Sequence, residues 1–195
     1  MKISKSLIGI IAAVVIIGAW AVSAYNSLVA EQEKATTAFA NVQSAYQRRA
    51  DLIPNLVETV KGYASHEKQT LEDVVNARTK ATSITVDPEN LTPEKLKEYQ
   101  QAQGELGSAL GRLIAITEAY PDLKANENFR DLQVQLEGTE NRINEARNKF
   151  NSVVQNYNMA VRSFPKNIMA GIFGFDKMDK FEADAGAEKA PKVQF

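Results

Sequence analysis

The chain has no cysteine and only one histidine among its 195 residues. The absence of cysteine excludes disulfide bonds, thiol catalysis, cysteine-based zinc sites and a lipid-modified cysteine. Excess charge is also lacking, because the formal net charge at pH 7 is −1. A nearly neutral chain does not carry the positive surface that binds nucleic acid, so we expect no nucleic-acid partner.

Charged residues are missing altogether between Ser6 and Ala30. Within this stretch residues 7–25 are almost entirely apolar, and about 20 helical residues cross the hydrocarbon core of a bilayer. We therefore predict a transmembrane anchor at residues 7–25, with the lipid bilayer as its partner. A cleaved signal peptide is the alternative, since residues 22–24 resemble a cleavage site, but the apolar run is longer than such peptides usually have.

The charges that flank the anchor predict its orientation. Lys2 and Lys5 lie in a short basic N-terminus at residues 1–6, whereas Lys34 is the only basic residue among the twenty that follow the anchor. The positive-inside rule places the more basic flank in the cytoplasm. We expect a single-pass protein of the cytoplasmic membrane, with its N-terminus cytoplasmic and the rest of the chain extracytoplasmic.

After the anchor, apolar residues recur at alternating intervals of three and four, which is typical of helices that pack along a seam. The longest run, residues 129–164, predicts a helix of about 36 residues. The pattern predicts an all-α fold, in which the transmembrane helix precedes an antiparallel up-and-down four-helix bundle with long helices at residues 26–165. The other runs cover residues 39–63, 71–84 and 96–120.

Proline and glycine interrupt these runs in two places. Pro54 lies inside the first run, where it predicts a kink in a continuous helix. Gly104, Gly107 and Gly111 lie inside the third run and predict a face that another backbone approaches closely. That third helix is predicted to begin at Pro93, because a capping residue precedes the proline.

Two segments follow the predicted bundle. Residues 166–181 form an apolar extension that is too short to span a membrane. This extension either folds back onto the bundle or contacts a partner or lipid. Residues 182–195 are rich in Ala, Lys, Glu and Gly, a composition that predicts a disordered tail.

The sharpest polar cluster comprises Arg48, Arg49 and Asp51, close to Pro54. Arg49 occupies a position of the apolar seam. We interpret it as half of an ion pair with a facing carboxylate, its aliphatic stem covering apolar surface. A recognition site for an anionic group is the alternative interpretation.

Catalytic motifs are absent from the sequence: it has no H-E-x-x-H motif, no Ser/His/Asp arrangement and no phosphate-binding glycine loop. His66, Glu67 and Asp73 make a weak case for a metal-assisted hydrolase. We interpret His66 instead as a polar residue near the start of a helix. The sequence therefore predicts a protein that is not an enzyme and has no catalytic, cofactor or metal site.

Four blocks of sequence point to a family, and they read YNSLV, QRRADLIPNLV, YPDLKAN and ENRI followed by AR. The second block covers residues 47–57 and is the most specific. In these motifs the chain resembles the LemA family of bacterial and archaeal membrane proteins over roughly residues 25–181. The resemblance implies a single N-terminal transmembrane helix and an up-and-down four-helix bundle. It implies no activity, because the family has no agreed biochemical function.

A long bundle on an anchor, without a catalytic constellation, favours a binding or scaffolding function. We predict a membrane-tethered, non-enzymatic bundle that binds or organises unknown proteins at the bacterial cell envelope. The sequence leaves the oligomeric state open. The alternative is a ligand-sensing extracytoplasmic domain that acts through a separate transducer, with Arg48, Arg49 and Asp51 as the binding locus.

Overall fold

A computed structural model describes residues 5–182, and these residues form helices and no strand. The predicted all-α class is confirmed. Connections between the long helices are short, which suits antiparallel neighbours. In chain order the elements are α1 (Lys5–Tyr63), α2 (Lys68–Ser83), a 3₁₀ turn (Pro88–Asn90), α3 (Pro93–Thr117), α4 (Pro121–Ala125), α5 (Glu127–Arg162) and α6 (Lys166–Phe173).

Helix α1 has 59 residues and is long and apolar enough near its N-terminus to cross a membrane. Residues 5–20 are exposed throughout, whereas burial against other helices begins with Ala24 and Leu28. The predicted anchor and the first helix of the predicted bundle are thus one element. At 1.5 Å per residue α1 is roughly 90 Å long.

The long helices pack as antiparallel neighbours. Ala24 near the start of α1 shares a buried cluster with Val161 at the end of α5. Val60 near the end of α1 shares another with Phe129 at the start of α5. Helices α2 and α3 are also antiparallel, since Asp73 in α2 lies beside Arg112 in α3, and the later Lys80 pairs with the earlier Glu105. Helix α2 packs against α1 as well.

The seam positions predicted from the sequence largely form the core. The buried polar residues among the described ones are Arg49, Gln103, Thr117 and Thr139, and each interrupts an apolar run at a seam position. Helix α5 has the predicted 36 residues. The prediction that Phe164 is the last seam position of this helix is wrong, because α5 ends at Arg162 and Phe164 is 81% exposed.

The prediction for the glycines of α3 is also wrong. A methyl group built on Gly104 or Gly111 would meet nothing within 4 Å, so no backbone approaches either of them. On Gly107 it would lie 3.6 Å from Nη1 of Arg49. Gly107 therefore faces a side chain of α1 and not a neighbouring backbone.

The apolar extension at residues 166–181 folds back onto the bundle. Helix α6 ends at Gly174, whose φ of 72° is the left-handed conformation that favours glycine. Beyond it the chain runs along α5 as an extended segment up to Glu182. The tail predicted at residues 182–195 lies, apart from Glu182, outside the described residues.

Asparagine side chains of α5 hold this extended segment. The Asn151 amide accepts from the Phe181 backbone N–H at 2.9 Å and donates to its carbonyl at 3.0 Å. Asn158 makes the same pair of bonds with Met178, at 2.9 and 2.8 Å. The Phe181 ring is buried, with centroids 5.4 Å from Phe150 and 6.2 Å from Phe39. The segment is thereby part of the core.

Candidate functional site

The site begins with the proline inside α1. Helix α1 continues through Pro54, so the continuous helix expected there is present, while the kink stays a prediction. Proline has no N–H, and the Ala50 carbonyl four residues earlier therefore lacks its usual donor. Nε of Arg78 in α2 donates to that carbonyl at 2.8 Å. Because Ala50 is buried, an unmade bond here would cost about 1–3 kcal/mol.

Arg49 forms a buried polar centre with Gln103 and Glu140. Its Nη1 donates to Oε2 of Glu140 at 3.0 Å. Its Nη2 donates to both the carbonyl oxygen and Oε1 of Gln103, each at 3.0 Å. The Gln103 amide in turn donates to the Ala81 carbonyl at 3.3 Å. These bonds connect α1, α3, α5 and the end of α2.

The two partners of the ion pair differ in exposure. The side chain of Arg49 is 5% exposed, whereas that of Glu140 is 52% exposed. Arg49 is thus desolvated but has several acceptors, and its Cζ lies 5.2 Å from the centre of the Tyr46 ring. Nε is its one buried nitrogen without a hydrogen bond to the described residues. With the facing carboxylate supplied by α5, the geometry is that of a structural ion pair.

Arg48 and Asp51 lie on the opposite, exposed side of α1. The structure therefore separates the sequence cluster, with Arg49 inside the bundle and the other two outside. Asp51 accepts a hydrogen bond from Gln47 at 2.7 Å. Arg48 and Asp51 line an open groove of about 480 Å³ between α1, the α2–α3 connection and α3. The groove is lined further by Gln43, Ser44, Tyr46, Thr82, Thr85 and Tyr99.

Tyr99 lines this groove and is at the same time buried in the core. Burial raises the pKa of its phenol well above the usual value, and the neighbouring Tyr46 adds to the rise while Arg49 opposes it. The rings of Tyr46 and Tyr99 meet edge to face, with centroids 5.5 Å apart. Tyr99 therefore stays protonated near neutral pH and is unsuited to act as a base.

The residues considered for metal-assisted hydrolysis do not form a common site. His66 is exposed between α1 and α2. Glu67 accepts the hydroxyl of Tyr120 at 2.8 Å, a bond that raises the pKa of the Tyr120 phenol. Asp73 lies 4.0 Å from Arg112. No group of three or more His, Asp or Glu residues that could hold a metal occurs within residues 5–182.

Sequence reasoning missed three members of the site: Arg78, Gln103 and Glu140. Gln103 could have been found, because it is a polar residue at a seam position, as Arg49 is. Neither Arg78 nor Glu140 breaks a periodic pattern of apolar residues, so no local signal marks them. Their roles depend on which helices are neighbours, which the spacing of apolar residues does not reveal.

Comparison with known proteins gives several relatives. Magnetosome protein MamQ of Magnetospirillum gryphiswaldense is 32% identical over 181 residues, covering 83% of this chain and 66% of that protein. MamQ 2 of Paramagnetospirillum magneticum is 29% identical, covering 81% and 64%. Protein LemA of Metamycoplasma hominis is 26% identical, covering 74% and 63%. The chain spans about two thirds of the length of these relatives, and none of their names states a catalytic activity.

The family model agrees with these relatives. The model of the LemA family matches residues 38–195, which include the polar centre, Pro54, Arg78 and both charged residues of the groove. The match covers far more than half of the chain, and the earlier resemblance to the family is confirmed. This protein belongs to the LemA family.

Proposed function

We propose that this protein is a membrane-tethered, non-enzymatic module that binds or organises other proteins at the bacterial cell envelope. In this proposal α1, α2, α3 and α5 form an antiparallel up-and-down four-helix bundle. The anchor at residues 7–25 is retained in the cytoplasmic membrane, and the bundle is extracytoplasmic. The small positive excess before the anchor supports this orientation.

The observation that carries the proposal is the unbroken course of α1 from its apolar end to Tyr63. Because the anchor and the first long helix are one rod, no flexible linker separates the bundle from the bilayer. Arg48 lies 23 residues after Tyr25, so the groove would stand about 35 Å above the end of the anchor. A surface held at a set distance from the bilayer suits a scaffold better than a freely diffusing catalyst.

The groove is the best-supported contact surface. It is open and carries charges of both signs through Arg48 and Asp51, which suits a protein surface. The groups near it that could perform chemistry are either engaged or protonated, as shown for Arg49 and Tyr99. The relatives named as magnetosome proteins are named by a location and not by a reaction, which supports an organising role.

Cysteine-directed crosslinking in living cells tests this proposal, because the chain has no cysteine of its own. A photo-crosslinker on Ser44→Cys would probe the groove, and one on Ser152→Cys would probe an exposed position of α5 outside it. We expect a discrete adduct with an envelope protein from position 44 only. Arg48→Ala combined with Asp51→Ala should abolish that adduct while melting is unchanged. No adduct, or equal adducts from both positions, would contradict the proposal.

A ligand-sensing function is the second candidate, and the volume of the groove favours it. About 480 Å³ lies within the range of roughly 300–1,000 Å³ that is common for small-molecule sites. A ligand at one hundred times its dissociation constant would stabilise the chain by about 2.7 kcal/mol. We would then expect a higher Tm that Arg48→Ala abolishes. Unchanged melting across envelope metabolites would refute this candidate.

A further inference from the structure

Helix α6 has an apolar face that the described residues leave largely exposed. Ile168 is 49% exposed and Ile172 is 67% exposed, and their spacing of four residues places them on one side of the helix. Phe173 beside them is 54% exposed, and Phe164 just before the helix is 81% exposed. Large apolar patches of this kind mark contact surfaces in folded proteins.

The opposite face of α6 fixes its position in the molecule. Met169 and Ala170 are buried in one cluster with Ala24 and Leu28 of α1. This cluster contains the first buried residues of α1, and it also includes Tyr157 and Val161 at the end of α5. Helix α6 therefore lies at the end of the bundle from which the exposed apolar part of α1 emerges.

Two contacts with α1 show where the ends of α6 lie along that helix. At its start, Nζ of Lys166 donates to Oγ of Ser27 at 2.9 Å. At its end, the ring of Phe173 meets the ring of Tyr25 edge to face, with centroids 4.8 Å apart. Tyr25 closes the predicted anchor, and tyrosine favours the membrane interface. Helix α6 is thus level with the boundary between anchor and bundle.

We propose that α6 inserts its exposed apolar face into the interfacial region of the bilayer that α1 crosses. This inference rests on the tether of the proposed function. The bilayer is the fitting occupant, because α6 packs against α1 at Ala24, Tyr25 and Leu28, directly after the exposed apolar run of α1 at residues 7–20, so that both apolar surfaces would meet the same lipid. Interfacial helices bury their apolar face about 5–10 Å into the boundary between headgroups and acyl chains.

A second membrane contact would have a structural consequence. Helix α6 packs against both α1 and α5, so its insertion would hold two helices of the bundle to the bilayer. A rod fixed at one point can tilt in the membrane, whereas a rod with a lateral contact beside it has a preferred tilt and rotation. The groove on α1 would then face a defined direction relative to the membrane.

Tryptophan fluorescence in vesicles tests the inference, because Trp20 is the only tryptophan of the chain. The full chain would be reconstituted in phosphatidylcholine vesicles, with and without lipids brominated in the upper acyl chain. The wild type reports on the anchor through Trp20. The variant Trp20→Phe with Ile172→Trp reports on α6. The matched control is Trp20→Phe with Val134→Trp, since Val134 on α5 is also 67% exposed.

We expect bromination to lower the emission of the Ile172→Trp variant about twofold, as shallow insertion implies, and to leave the Val134→Trp control unchanged. Quenching of Trp20 without quenching in the Ile172→Trp variant would refute the insertion of α6 and leave the tether standing. A blue-shifted but unquenched Ile172→Trp emission would also refute it, because a protein surface would then cover α6. An unquenched Trp20 in the wild type would refute the tether. Insertion of α6 would then stand only if the Ile172→Trp variant were quenched.

Discussion

The hydrogen bond from Arg78 to the Ala50 carbonyl predicts that substitutions of Arg78 and Pro54 have coupled effects on the free energy of unfolding. Arg78→Ala would leave this carbonyl without a donor, because Pro54 has no N–H to offer. Ala50 is buried in the wild type, so the bond is largely shielded from competing water. A bond from a charged donor contributes about 1.5–3 kcal/mol, and we expect a loss of about 2 kcal/mol in the free energy of unfolding.

Pro54→Ala would change this dependence by restoring the missing N–H. Replacing a proline in a helix interior by alanine usually gains about 3 kcal/mol. Here the gain should be smaller, because Arg78 already serves the Ala50 carbonyl. In the Pro54→Ala background, Arg78→Ala should cost about 0.5–1 kcal/mol, which makes the coupling energy about 1 kcal/mol or more.

Urea unfolding of the full chain in detergent micelles, followed by far-ultraviolet circular dichroism, would measure this coupling. Arg112→Ala is a suitable control, because Arg112 is another arginine of the α2–α3 pair, is exposed and lies beside Asp73 of α2. Its cost should be the same in both backgrounds. Equal costs of Arg78→Ala with and without Pro54 would refute the reasoning.

Three further predictions concern the polar centre, the extended segment and pH. Arg49→Lys should lower the free energy of unfolding by about 2 kcal/mol, because one ammonium group cannot serve both Gln103 and Glu140, as urea unfolding would show. Asn151→Ala removes two hydrogen bonds to Phe181, so hydrogen exchange of the Phe181 amide should accelerate about 5- to 30-fold, measured by mass spectrometry. The pKa of Tyr99 is raised in the folded chain, so the free energy of unfolding should be unaffected by this group below pH about 10 and should fall as pH rises above it. Tyr99→Phe should flatten that fall in urea unfolding at alkaline pH.

Each of these predictions has a contrary outcome. An unchanged urea midpoint in Arg49→Lys would show that the guanidinium bonds to Gln103 and Glu140 contribute nothing to stability. Equal exchange of the Phe181 amide in the wild type and in Asn151→Ala would mean that ring packing alone holds the segment. The same alkaline loss of stability in Tyr99→Phe and the wild type would assign that loss to other groups.

Much of the helix pattern could be predicted from the sequence, because it depends on local signals. The 36 residues of α5 follow from the regular spacing of its apolar residues. The start of α3 at Pro93 follows from its cap, and Thr92 Oγ1 does accept from the Lys95 N–H at 3.3 Å. The ion pair expected for Arg49 follows from a charged residue at a buried seam position.

The remaining features depend on contacts between distant parts of the chain. Glu140 lies 91 residues from Arg49, and Arg78 lies 28 residues from Ala50. Apolar spacing gives the buried side of each helix but not the register between helices. Phe181 is buried without any periodic pattern around it, because asparagine side chains hold the backbone of its segment.

The orientation of the chain in the membrane tests the central claim most directly. A single cysteine at Gln101, an exposed residue of α3, would be the only thiol of the chain. Intact cells that carry this variant would be treated with a membrane-impermeant maleimide and compared with lysed cells. We predict full labelling of intact cells, since the proposed orientation places the bundle outside the cytoplasmic membrane. Protection of the thiol until lysis would contradict it and would place the bundle in the cytoplasm.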